Sequence, residues 1–507
     1  DYYYEHSTYL YPSLTYKWSS DTWLSLKMDY VREDRQANDG LVVPFLNIGL
    51  LPPINVTYTA PDAKDTDYGE SLTALFQTRL LDVWTARVAY RATWHTDSRR
   101  AIEVIQGAIV SDPVDYRNSS ITGRFKLQDN SRRYNFIDAN VSGELGPKAF
   151  RHTLIAGVSG GKEWSDFYRV AQKPNYPGIN LYRSAPDAPG NYPAIPPILP
   201  SYQPQDRKTT LWNYGAYASD KLTLGERWDA TAGVRWDKQD AYQYEVITNR
   251  GIKSTTTCVL PSIGLLYHAA RQVSVYANYC EGFKPQTSGN VDASDNPNFP
   301  SESSTQVELG VKVQALDERL TLALGAYDIR KRNVLSATGQ TAPSGNPIAN
   351  LSGLQESTGV EFDTTYQPWP NWEIRVGATY IDARVKKSTT ASIVGAQLDN
   401  SPHASGNFWT RYNFSRGALR GLGFGIGAIY VGQRQGIITN VPAARLEAPS
   451  YARLDVGVYY GKGRYNYALN VGNITDRLYV AAIQQGDATR INPGDPRKIT
   501  FSVKTQF

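Results

Sequence analysis

Two cysteines, Cys258 and Cys280, and five histidines, His6, His95, His152, His268 and His403, are the side chains whose types suit metal binding, redox chemistry or proton transfer. The histidines are scattered, with no HxxxH or HExxH spacing, and two cysteines are too few for a zinc framework or a disulfide scaffold. His152 and His268 sit beside expected turns with no evident serine partner, which argues against a hydrolytic site. If segments 254–268 and 271–283 form a hairpin turning near Ala269, Cys258 and Cys280 fall nearly opposite one another on one face. A cross-strand disulfide is then sterically available; the alternative is two unrelated thiols. A different kind of chemistry is offered by 165–206, rich in proline and carrying Tyr176, Tyr182, Tyr192 and Tyr202. Such a stretch is stiff without being a strand, which suits a lid or a binding surface.

The elements that must position these residues are strands. Apolar and polar residues alternate with period two from one end of the chain to the other. Leu24, Leu26, Met28 and Tyr30 oppose Ser25, Lys27 and Asp29, while Trp228, Ala230, Ala232, Val234 and Trp236 oppose Arg227, Asp229, Thr231, Arg235 and Asp237. The last strand sets Ile499, Phe501 and Val503 against Lys498, Thr500, Ser502 and Lys504. These runs last about 10–15 residues, longer than the usual 5–6 of a soluble sandwich and long enough to cross a bilayer when tilted. No apolar stretch approaches a membrane helix, yet 35 Tyr and 11 Trp among 507 residues favour membrane–water interfaces, where aromatic girdles form. In 421–430 glycines alternate with Leu422, Phe424 and Ile426, leaving room inside a barrel or permitting sheet curvature. A net charge of +5 with both signs interspersed gives no reason to expect nucleic acid as a partner. Tight turns at Ser19-Ser20, Gly146-Pro147-Lys148, Ala269-Ala270 and Gly461-Lys462-Gly463 alternate with long polar links at about 36–66, 99–116, 165–206, 284–303, 336–352, 387–403, 435–448 and 476–496. The pattern predicts an all-β, large antiparallel transmembrane β-barrel with about 19 strands visible, short turns at one mouth and long loops at the other. An odd strand count leaves an open edge, so further strands are expected before residue 1.

Several ordered motifs then resemble one family. Tyr11-Pro12-Ser13-Leu14-Thr15-Tyr16-Lys17-Trp18 resembles its early barrel hairpin. Tyr276-Ala277-Asn278-Tyr279-Cys280-Glu281-Gly282-Phe283-Lys284-Pro285 is similar to a Y-x-x-Y-S-x-G-F-x-P signature, with Cys280 in place of the small polar residue. Asn470-Val471-Gly472-Asn473-Ile474-Thr475-Asp476-Arg477-Leu478-Tyr479 is similar to a terminal N-V-x-N-L-x-D-x-x-Y motif, and Phe507 fits an outer-membrane assembly signal. The chain thus resembles the TonB-dependent siderophore receptors, in the ferrichrome, ferrioxamine and ferric-citrate-like branch. The resemblance implies a 22-stranded barrel around an N-terminal plug that carries a TonB-binding box. The plug, the box and about three strands are absent from these residues, so energy coupling through TonB rests on a segment not in this chain. It further implies a multi-pass protein of the bacterial outer membrane, monomeric, surrounded by lipid and lipopolysaccharide, and not an enzyme. No intrinsic cofactor is expected; iron enters only within a ferric siderophore. Packing such a ligand calls for aromatic surface and for Arg, Lys or Tyr groups to meet its oxygens. Tyr176, Tyr182, Arg183, Tyr192, Tyr202, Phe283 and Lys284 are the candidate contacts, whereas Tyr279, Glu281, Gly282 and Pro285 are expected to fix a strand end. A substrate-specific porin is the rival class, and haem, cobalamin or a sugar are rival cargoes.

Overall fold

The computed structural model describes residues 4–38, 40–60, 62–171, 176–183, 203–286, 290–342, 347–484 and 490–505. The alternating segments form strands, and 21 of these join in a single antiparallel sheet. Two collinear pairs each make one stave. Glu5–Leu10 and Ser13–Lys17 both pair with Trp23–Gln36, interrupted at Pro12, which has no N–H to give to a ladder. Tyr176–Asn180 continues Phe150–Ala171 along Ser120–Leu145. The described sheet is therefore nineteen staves, each antiparallel to its sequence neighbour. Its two ends are unlike the rest. The first stave pairs only with Trp23–Gln36 and the last, Lys498–Thr505, only with Tyr465–Gly472. Both are exposed along nearly their whole length.

Alternation sets which face each side chain takes. On the outer face, Val158, Ile263 and Leu309 are 60%, 61% and 59% exposed, an apolar surface that makes sense only against lipid. Tryptophans mark its limits. Trp18, Trp84, Trp228, Trp369 and Trp372 lie beside the short turns, while Trp94, Trp164, Trp212 and Trp236 lie further along their strands towards the loops. From Trp84 to Trp94 is about 33 Å along the strand and about 25 Å across a bilayer at the usual tilt. Lys162, on the outer face, places its ammonium 4.4 Å from the Trp164 ring centroid and 4.9 Å from that of Trp212. A cation held between rings at the interface keeps its charge near water while its stem covers apolar surface.

The inner face is polar and close-fitting. The remaining two tryptophans, Trp23 and Trp409, lie on this alternation, and a Cβ on Gly425 or Gly427 would come within 2.6 Å of the Trp409 ring. Gly425 and Gly427 therefore make room for Trp409, while Gly423 abuts Asn413 and Gly421 the Gly461 carbonyl.

Two expectations need correction. Trp84–Val110, Phe150–Ala171, Leu320–Thr341 and Pro347–Trp369 run into the loops expected at 99–116, 165–206 and 336–352. Above the membrane, a hairpin can be covered on both faces, so its residues need not alternate: Ala101, Ile102, Glu103 and Val104 are all buried. The disulfide is also absent. Cys280 stands opposite Ser262, Cys258 stands opposite Asp237 on the other neighbouring strand, and both thiols are free. The strands end at Ala270 and resume at Val273, so the turn uses Arg271 and Gln272, with an irregularity between His268 and Ala270. A turn centred two residues later than Ala269 shifts the pairing by four, leaving the cysteines on one face but about 13 Å apart along the strand.

Candidate ligand-binding site and loop roof

At the long-loop mouth, segments far apart in sequence pack into one apolar roof. Leu41, Val42, Val43 and Tyr58 meet Ile102, Ile121 and Phe125, together with Ile179, Leu181, Leu446, Ile483 and Ile491. The backbones of Leu41 and Ile491 exchange hydrogen bonds of 2.7 Å. Such burial excludes water from the loop backbones, and polar groups inside it must therefore be satisfied. The Tyr58 hydroxyl donates to the Leu181 carbonyl at 3.0 Å, and the Thr59 hydroxyl accepts from the Ile102 amide at 3.2 Å. Arg434, 3% exposed, donates to the carbonyls of Val480 and Ala481 and lies over the Tyr451 ring. Tyr451 stacks on Tyr479 at 4.3 Å, and Arg453 links the Tyr479 hydroxyl to Asp455.

The strongest charge cluster lies beside this roof. Glu103 is 4% exposed. It accepts from Arg124 Nε and Nη2 at 3.2 and 3.0 Å, from Lys126 Nζ at 3.2 Å and from Arg490 Nη2 at 2.8 Å. Burial by itself would raise the carboxyl pKa, but Lys126, Arg490 and Arg124 outweigh it and hold Glu103 at about 2. Arg169 projects from the neighbouring strand, donates to Gln205 and has no carboxylate partner among the described residues. Burial, and then the charge of Arg124, lower its pKa; burial lowers that of Lys126, against the pull of Glu103. Glu103, Arg124, Lys126 and Arg169 all occupy the alternate positions that face the lumen lower down the same strands.

The sequence candidates are distributed differently. Tyr182 is half-buried, donates to the Leu50 carbonyl and meets Tyr116 edge-on, and burial pushes its hydroxyl up to about 12. Its present contacts hold loops together. Arg183 is exposed; Tyr176 lies on a strand opposite Gly123; Tyr192 and Tyr202, like Phe507, lie outside the described residues. Lys284 is on the lumenal alternation opposite Glu302, but Phe283 is on the outer one opposite Ser303. Tyr279 and Glu281 share that outer face and hydrogen-bond one another. Gly282 packs against Ser304, and Pro285 follows the last residue of its strand. The terminal motif is a turn lock. Asn473, 1% exposed at φ 50°, accepts from the Arg477 amide and donates to the carbonyls of Arg477 and Asp495. The Asp476 carboxylate accepts from the Arg497 amide at 2.8 Å. Arg124, Lys126 and Arg169 were not among the sequence candidates, although Arg124, Lys126 and Gln128 alternate with Gly123, Phe125 and Leu127 and could have been read as one polar face.

A long-stranded barrel with an apolar outer band, interfacial tryptophans and a loop-roofed mouth is the architecture of an outer-membrane receptor or transporter. The family described as "TonB dependent receptor-like, beta-barrel" matches residues 10–474, and the chain belongs to it. This is a protein of the bacterial outer membrane, and members of the family are receptors and transporters, not enzymes. Among similar proteins, a metal-pseudopaline receptor, CntO, of Pseudomonas aeruginosa is 26% identical over 98% of this chain and 67% of its own length. A ferrioxamine B receptor of Salmonella typhimurium is 28% identical over 68% of this chain and 47% of its own length, so the match spans about half of that relative. The solved structure of BauA, the ferric preacinetobactin receptor of Acinetobacter baumannii, superposes with a TM-score of 0.83, covering 99% of this chain and 72% of that one at 18% identity, a likeness of fold.

Proposed function

We propose that this chain forms the barrel of a receptor that binds a ferric siderophore at its loop-bearing mouth and imports it with energy from the TonB complex. The observation that carries this reading is the roofed mouth beside a lumenal wall of cationic side chains. A passive pore gains nothing from a packed roof, whereas a receptor for a scarce, bulky ligand needs an ordered surface to select it. The relatives named for ferrioxamine B and for metal-pseudopaline support a metal chelate as cargo. The second of these names leaves a metal other than iron as the specific rival. Haem, cobalamin and sugars lack that support.

The two unpaired edges bear on the rest of the machine. Backbone N–H and C=O groups facing hydrocarbon cost several kcal/mol each when unsatisfied. In the membrane the first and last staves therefore pair with something, and three further staves of the same polypeptide would give 22 in all. A plug within that lumen, presenting the segment that TonB grips, completes the proposed transporter. Lipid and lipopolysaccharide would surround it, and it would act as a monomer with no resident cofactor.

The test is binding and rescue together. Cells that depend on this receptor should grow under iron limitation when given the correct ferric siderophore, and deleting the TonB function should abolish rescue. Rescue independent of TonB would favour the porin reading. Failure of the purified receptor to bind any ferric chelate would remove the siderophore reading altogether.

A further inference from the structure

Among the described residues, Arg124, Lys126 and Arg169 outnumber the one carboxylate, Glu103, that faces them. Several half-buried basic residues of the barrel have an acidic neighbour of their own: Arg99 has Asp65 at 3.0 Å, Arg207 has Glu245, and Lys238 has Asp240 at 2.9 Å. Arg124, Lys126 and Arg169 depart from this. The first two share Glu103, which Arg490 also occupies, and the third, among the described residues, has the Gln205 amide oxygen and no carboxylate. The register holds them in one patch: Gln128 stands opposite Arg169 and Lys126 opposite Ala171, so Lys126 and Arg169 are diagonal neighbours, within reach of long side chains. The Arg124 side chain keeps 37% of its surface accessible while Lys126 keeps 13% and Glu103 5%. Arg169 adds its guanidinium over the Phe167 ring at 5.8 Å, an apolar flank beside a charge.

Like charges held together in a partly dehydrated place repel, and an arriving anion relieves that repulsion. The patch lies beyond the tryptophan row and on the lumenal alternation, so lipid headgroups on the outer surface do not reach it. Guanidinium groups engage carboxylates in a planar, two-pronged way that a neutral ligand oxygen does not match in strength.

We propose that Arg124, Lys126 and Arg169 form an anion-recognition wall, and that the cargo is a metal chelate of net negative charge whose free carboxylate or comparable acidic oxygens meet these cations. This rests on the reading that the mouth binds a metal chelate. It goes further in excluding neutral and cationic chelates as the preferred cargo.

The experiment uses the intact receptor in detergent, titrated with ferric citrate as an anionic probe, ferrichrome as a neutral one and ferrioxamine B as a cationic one, with tryptophan fluorescence as the readout. The anionic chelate should bind most tightly, and its affinity should fall steeply with added salt. Arg124→Gln with Arg169→Gln should weaken it at least tenfold, Arg169→Lys should retain most of it, and neither should change the weak binding of ferrichrome. If the double variant does not assemble in the membrane, Arg169→Gln against Arg169→Lys carries the same comparison. Preference for the neutral or cationic chelate overturns this proposal while leaving the receptor reading intact. So does anionic binding indifferent to Arg169→Gln, which would mean that carboxylates of the polypeptide itself cover the wall. No binding of any chelate overturns both.

Discussion

Glu103 shows how one carboxylate organises a mouth. It is buried, meets three cations and joins residues 387 positions apart through Arg490. Removing its charge leaves cations facing one another in a dehydrated place, an arrangement that commonly costs about 3–5 kcal/mol. Glu103→Gln should therefore release the segment around Arg490, seen as rapid tryptic cleavage there while the membrane-embedded staves remain intact. Acid should do the same reversibly. Because the folded carboxyl titrates at about 2, below its ordinary 4.5, its stabilisation is complete above that ordinary value. It is lost as pH falls through about 2, and proteolysis with an acid-active protease between pH 5 and 2 should show that window. Little of this was legible in the sequence. Glu103, Lys126 and Arg490 carry no local motif, and only the fold brings them together. The loop tyrosines were conspicuous by composition, yet Tyr182 serves to pin one loop to another.

Strands were the most legible level, because side chains facing lipid and lumen must differ and period two records that difference directly. Register was less so. Ala269-Ala270 looks like a turn by size, but the chain turns at Arg271-Gln272, and every cross-strand neighbour moves with it. The consequence is testable with thiol chemistry. Alkylation of the denatured, unreduced protein should label both Cys258 and Cys280, whereas Ser262→Cys should give a spontaneous bridge to Cys280 on mild oxidation, detected as a mass lower by about two hydrogens. A bridge between Cys258 and Cys280 would refute the observed pairing. Strand interiors make a similar point. The glycines of 421–430 suggest either room inside the barrel or sheet curvature; at Gly425 and Gly427 Trp409 fills the room, and Gly427→Val should force the ring aside and destabilise the barrel by about 1–3 kcal/mol, measured as a lower temperature of heat-induced unfolding in detergent.

For the whole molecule, the barrel class followed from alternation, aromatic belts and unequal turns, and the nineteen staves match the number expected from sequence. How the cylinder closes is a property of backbone pairing, which side-chain patterns do not encode. Amides of Ile499, Phe501 and Val503 and of Tyr9 should exchange with deuterium as slowly in native membranes as those of interior staves, since an unpaired edge does not persist in hydrocarbon.

The roof has a bearing on assembly. Its parts arrive from positions near 40, 100, 180, 445 and 490, so the polypeptide must be almost entirely threaded into the membrane before they can meet. Contacts of such long range form late, after the entropy of closing very large loops has been spent. A barrel stalled partway would carry a gaping, water-filled mouth with Ile491 and Val42 uncovered, recognisable to proteases at the cell surface. Completion of the canopy thus reports that both ends of the wall are in place, a quality check written into the connectivity itself.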